Sequence, residues 1–193
     1  QVKELIQSGV IGRPLSVEFK WLLDTSHGAD YFRRWHRNKA NSGGLLVHKA
    51  THHFDLVNWW ISSVPARVAA FGARLFYRPE QAQRYGLANR GERCSDCPES
   101  GRCPVFLDIK GNARLRALYF DQEGYDGYQR DQCVFSDRID IEDTMNVIVE
   151  YRSGVRMSYA LTAFSPWEGY HVVINGTKGR IEHIARESSY VNG

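Results

Sequence analysis

Short runs of alternating apolar residues, joined by tight turns, fill the end of the chain and constrain its fold more than any other feature. Thr144–Tyr151 and residues 155–163 read as two strands joined by a hairpin turn at Ser153-Gly154. Residues 170–174 form a third, and a short run over 179–184 follows the turn at Gly176-Thr177-Lys178. Strands so near in sequence pair antiparallel. Residues 15–23, after a Gly-Arg-Pro turn, and residues 67–78 add two more strands. One amphipathic helix is expected over 45–61, closed by Ser62-Ser63-Val64-Pro65. Between 24 and 44 no period holds, and Gly28, Asn38, Asn41, Ser42 and Gly43 mark a long loop. Residues 79–140 are polar and loop-rich, with one helix near 106–118, and read as an insertion. The expected fold class is α+β: a single domain with a largely antiparallel open sheet and helices on one face.

Composition narrows the partners. The chain has 193 residues, 42% hydrophobic and 24% charged, which suits an ordinary globular core. A net charge of +3 gives no basic field for nucleic acid or a membrane surface. No apolar run approaches the roughly 18–20 residues of a membrane span. The amino end carries no signal-peptide pattern and reads as the last turns of a helix stopped by Gly9. The chain therefore reads as an excised piece. A cytoplasmic location is expected, unless a secretion signal preceded it.

The helix over 45–61 carries the chemistry. At about 100° per residue, Leu46, Ala50, Phe54, Val57 and Ile61 gather on a core stripe. His48, His52, Asp55 and Trp59 fall on the opposite side, within about 60° of one another. A solvated face usually carries Lys, Glu and Gln there. Histidines exchange protons near neutral pH, and a carboxylate orients an imidazole. His53 points toward the core.

These residues carry a resemblance. Gly43-Gly44, His48, His52 and Asp55 are similar to the helix motif in the second domain of the glucose–fructose oxidoreductase / inositol dehydrogenase / MocA family. The run from Glu4 to Gly12 looks like that family's domain-crossing helix, and Asn175-Gly176-Thr177-x-Gly179-x-Ile181-Glu182 like a turn late in its sheet. The resemblance implies an NAD(P)-dependent oxidoreductase acting on a sugar, glycoside or polyol. In it a lysine from a Glu-Lys-Pro motif in a Rossmann domain works with the helix histidine, placing His52 as acid/base. His48 stands where many members have Asp, which implies a different substrate or reaction. Neither Glu-Lys-Pro nor Gly-x-Gly-x-x-Gly occurs in this chain, so NAD or NADP would be bound by a domain outside it.

Around the helix, the stretch 31–39 mixes aromatic faces with fork-shaped donors. Tyr31, Arg34, Trp35, Arg37 and Asn38, with Trp167 between two strands, suit a carbohydrate. Single-stranded nucleic acid stacked on Tyr31, Phe32 and Trp35 is the weaker alternative. Cys94-x-x-Cys97, Cys103 and Cys133 supply four thiolates for a structural zinc, with an iron–sulfur cluster second and unligated thiols the plain alternative. Two rival functions remain: a metal-dependent hydrolase using His48, His52 and Asp55, and a non-catalytic binding domain. In the sheet, Ser158 and Ala160 with Ile148 give one face small, apolar character. Helices cover only one side, so a homodimer or homotetramer through the other is expected.

Overall fold

The computed structural model describes residues 1–189. The helices are α1 (Val2–Gln7), α2 (Thr25–Arg33), α3 (Lys39–Ser42), α4 (Leu45–His48), α5 (Thr51–Ile61), α6 (Pro79–Arg84), α7 (Ala113–Leu118) and α8 (Glu123–Asp126). Six strands, β1 (Pro14–Asp24), β2 (Pro65–Ala73), β3 (Thr144–Tyr151), β4 (Arg156–Ser165), β5 (Trp167–Gly176) and β6 (Arg180–Ser189), form one sheet in the order β2-β3-β4-β1-β5-β6. Every pairing is antiparallel except β1 with β4, because β1 enters from the other end of the chain. The α+β class holds: a mostly antiparallel open sheet with helices on one face.

Alternation selects the faces. Met145, Val147, Val149 and Tyr151 of β3 and Met157, Tyr159, Leu161 and Ala163 of β4 point inward and are buried. Tyr151 belongs with this inner row. Val17, Phe19 and Leu23 of β1 complete the core beneath Ala50 and Val57. On the other face Ile148 is 63% exposed and Phe71 82%.

Three expectations need correction. Residues 25–33 form α2, not loop; Asp24 caps it, its Oδ1 accepting the His27 amide at 2.8 Å. Gly28, read as a loop marker, is there for contact: a Cβ would lie 1.9 Å from the Ala163 carbonyl. The helix over 45–61 is two helices. Ala50 donates to the Leu45 carbonyl at 2.9 Å, one residue beyond helical spacing, and the Thr51 hydroxyl bonds the Val47 carbonyl across the break. Finally, β2 ends at Ala73, because the Asp143 carboxylate takes the amides of Leu75, Phe76 and Tyr77 at 2.7–3.1 Å and turns the chain away.

The two ends of the chain meet as well. The Thr177 amide donates to the Arg13 carbonyl at 3.0 Å, and the Lys178 amide to the Ile11 carbonyl at 2.8 Å. No helix among the described residues is long and apolar enough to cross a membrane.

Candidate active site

A cleft of about 100 Å³ opens beside α2 and α4, lined by His27, Asp30, Tyr31, Arg34, His36 and His48. Helix α2 sets three of these at i, i+3 and i+4: His27, Asp30 and Tyr31 share one side of it. Trp35 and His36 follow in a single 3-10 turn. The break between α4 and α5 turns His48 toward them, so that its ring lies 4.2 Å from His36, 5.5 Å from Trp35 and 5.8 Å from Tyr31, edge-on to each.

The polar groups form a chain. His27 Nδ1 lies 2.8 Å from Glu168 Oε1, and an ionised carboxylate only accepts, so Nδ1 carries the proton. Its Nε2 lies 3.5 Å from the Tyr31 hydroxyl. Burial, then the Glu168 charge, pushes the Tyr31 phenol up. His36 is buried under Trp35, with ring centroids 3.9 Å apart, and its Nδ1 has no hydrogen-bond partner among the described residues. Burial first, then the neighbouring His48 and Arg34, lowers its pKa to about 4. Burial, followed by Arg34, Lys49 and His52, also lowers His48. The cleft thus offers three imidazoles, a phenol, one guanidinium and the Asp30 carboxylate, with flat aromatic walls. Such a surface stacks against C–H groups and exchanges hydrogen bonds with hydroxyls.

The residues singled out from sequence divide into groups. Tyr31, Arg34 and His48 line the cleft, and Trp35 packs against it. Arg34 also donates from Nε to the Tyr128 hydroxyl at 3.2 Å, which ties the cleft to the insertion. Arg37 is buried outside the cleft and donates to Gln132 Oε1 at 2.8 Å. Asn38 is exposed between the 3-10 turn and α3. Trp167 opens β5, with the Arg186 guanidinium 5.1 Å over its ring. His52 and Asp55 lie exposed on α5, one turn apart. The break sets His48 at the end of α4 and His52 in the first turn of α5, rather than on one continuous helix. Among the described residues, no group of three or more His, Cys, Asp or Glu side chains is gathered as a metal-ligand set.

Sequence reasoning missed His27, which was legible in the capping signal Asp24-Thr25-Ser26 that opens a helix and puts His27 and Tyr31 on one face. His36 lay inside the stretch 31–39, and Glu168 beside Trp167, with no role assigned to either; no local pattern announces the contact of Glu168 with His27, since only the sheet brings β5 to α2.

Behind the cleft, His53 donates or accepts at Nδ1 with the Tyr159 hydroxyl at 2.8 Å and stacks on Trp21 at 4.2 Å. Burial, then Lys49, lowers its pKa to about 4, like that of His36. Both histidines bind a proton more weakly in the fold than in the unfolded chain. Their stability contribution is therefore full above about pH 6.5 and lost as pH falls toward 4, by about 1.4 kcal/mol per pH unit for each. Urea midpoints should drop between pH 6.5 and 4.5, and less steeply in His53→Phe. A flat profile would contradict the neutral imidazoles.

Comparison with known proteins places the chain in a family. Residues 3–193 match the model of the oxidoreductase family's C-terminal alpha/beta domain. YteT of Bacillus subtilis (strain 168), a protein named as an oxidoreductase, is 42% identical over 189 residues, 94% of this chain and 44% of that protein. The chain thus spans less than half the length of that relative. Among solved structures, levoglucosan dehydrogenase in complex with NADH and levoglucosan is similar over 95% of this chain and 36% of its own, with a TM-score of 0.56 and 19% identity. Apo scyllo-inositol dehydrogenase from Lactobacillus casei covers 93% of this chain and 34% of its own, with a TM-score of 0.52 and 14% identity. At such identities the structural likeness shows the fold alone; the family match and the YteT identity carry more. The chain belongs to the glucose–fructose oxidoreductase / inositol dehydrogenase / MocA oxidoreductase family, as its C-terminal alpha/beta domain.

Proposed function

We propose that this chain is the substrate-binding and catalytic half of an NAD(P)-dependent dehydrogenase acting on a sugar, glycoside or polyol. The observation that carries the reading is the cleft: neutral His36 and His48, the Tyr31 phenol and the Arg34 guanidinium stand around a space of about 100 Å³ with aromatic walls. Levoglucosan and scyllo-inositol, named for two similar structures, are compounds of this hydroxyl-rich kind. A nicotinamide held by a domain outside this chain would supply the hydride acceptor. In this chain Tyr31 and Trp35 hold the ring faces, Arg34 binds hydroxyl oxygens, and His36 offers its unpartnered Nδ1 as acceptor. His52 takes the hydroxyl proton. The four free thiols suit a reducing compartment, and the cytoplasm is the proposed location.

Steady-state kinetics of the full-length protein test the cleft. Arg34→Ala should raise KM by about tenfold while kcat changes less, because a ground-state contact is removed. An unchanged KM would place the substrate elsewhere.

We further propose that the open sheet face joins copies of the chain. Exposed Phe71 and Ile148 project from neighbouring strands beside the small Ser158 and Ala160, with the Arg67–Glu150 ion pair at the rim. Light scattering at micromolar concentration should report at least a dimer, and Ile148→Lys should shift it toward monomer. A monomeric wild type would defeat this.

A further inference from the structure

The four cysteines have no task in the reading above, yet the fold brings them together. Cys94 to Asp96 form a 3-10 turn. The bridge between Arg93 and Gln132 then zips the distant segment alongside, with the Cys94 amide donating to the Asp131 carbonyl and the Cys133 amide to the Glu92 carbonyl, both at 2.8 Å. Cys94, Cys97, Cys103 and Cys133 all line one enclosed cavity of about 20 Å³, and none forms a disulfide.

Several polar groups face these sulfurs. The Gly91 amide donates to Cys97 Sγ at 3.3 Å. Arg33 reaches Cys94 Sγ at 3.6 Å, and Arg90 lines the same cavity. Burial opposes all of this, pushing the thiols of Cys94, Cys103 and Cys133 up, so the apo cavity favours neutral sulfur. The Gly91 amide and two guanidiniums are not needed by four neutral thiols. They match the outer shell that four metal-bound thiolates require. Four thiolates on a divalent ion leave a charge of about −2, which Arg33 and Arg90 offset.

We propose that Cys94, Cys97, Cys103 and Cys133 bind one zinc ion as a four-thiolate structural site. Four thiolates are the ligand set of a closed, tetrahedral structural zinc site. Because no ligand set is yet gathered among the described residues, the ion must draw the sulfurs in to about 2.3 Å. Binding releases the thiol protons to solvent. The site also has a purpose in the fold. Arg33 bonds both Cys94 and the Val105 carbonyl, and Arg130 pairs with Asp30, so the insertion grips α2. Zinc would hold that grip shut.

The test is elemental analysis of the full-length protein, purified without chelator or metal-affinity resin. About one zinc per chain is expected. Exchange with Co(II) should give thiolate charge-transfer absorption and the visible bands of a tetrahedral site, and Cys97→Ser and Cys133→Ser should each abolish the ion. Where a serine variant fails to fold, a mercurial titration of wild type should release one zinc for every four thiols. Metal below about 0.2 per chain, with four freely reactive thiols or a disulfide, overturns the proposal. Stoichiometric iron with visible absorption overturns it equally.

Discussion

His52→Ala in the full-length protein is expected to lower kcat by about a hundredfold or more, the usual cost of a lost acid/base group. His52 sits in the first turn of α5, exposed, and near enough to the cleft that its charge acts on both His48 and His53. His48 is a different case: its ring is packed edge-on against His36, Trp35 and Tyr31, and its pKa is lowered by burial. His48→Ala should therefore act mainly on KM, by loosening the aromatic wall. Turnover should be measured where a deuterium isotope effect shows that hydride transfer limits the rate. Near wild-type kcat for His52→Ala in that regime would remove His52 from the mechanism.

The second large effect concerns stability. Asp143 is fully buried, and its carboxylate accepts the amides of Leu75, Phe76 and Tyr77. Its own amide donates to the Ala73 carbonyl, and its carbonyl accepts the Ala163 amide at 2.9 Å. Burial pushes the carboxyl up, and the three amides pull against that. Asp143→Ala removes the acceptor but leaves the three donors where the chain leaves the sheet. An unsatisfied buried donor costs about 1–3 kcal/mol, so a loss of about 3 kcal/mol or more is expected. Asp143→Asn should recover part of it, since one oxygen still accepts. Chemical denaturation of the two variants checks this; equal stability of Asp143→Ala and wild type would show that the amides find other partners.

Much of the fold was legible because its determinants are local. Alternation in Thr144–Tyr151 and the Ser153-Gly154 turn give a hairpin whichever way the rest packs. Motifs at the two ends, around Gly12 and Gly176, suggested the family, and the fold joins them by backbone hydrogen bonds. Failures came where a long-range contact chose the outcome. Gly28 looked like a loop residue because its partner, the Ala163 carbonyl, is 135 residues away in sequence. The break at Lys49-Ala50 is invisible to a helical wheel, since the residues on both sides keep helical preferences. β2 stops where Asp143 captures its continuation, which no local pattern announces. For the site, Tyr31, Arg34 and His48 were legible as chemistry, and their meeting was not. It depends on α2 being helical and on the turn that swings His48 toward His36. Arg37 had the right chemistry in the wrong place, spent on Gln132.

On the proposed function, a hydroxyl-bearing carbohydrate is oxidised at this cleft. The most direct measurement is absorbance at the reduced-nicotinamide band when the full-length protein is given NAD or NADP with a panel of sugars, glycosides and cyclic polyols. The account expects at least one of these to be oxidised, with saturable kinetics that Arg34→Ala shifts to higher concentration and His52→Ala suppresses. No reduction of either nucleotide by any member of the panel, from protein shown to bind nucleotide, would contradict it.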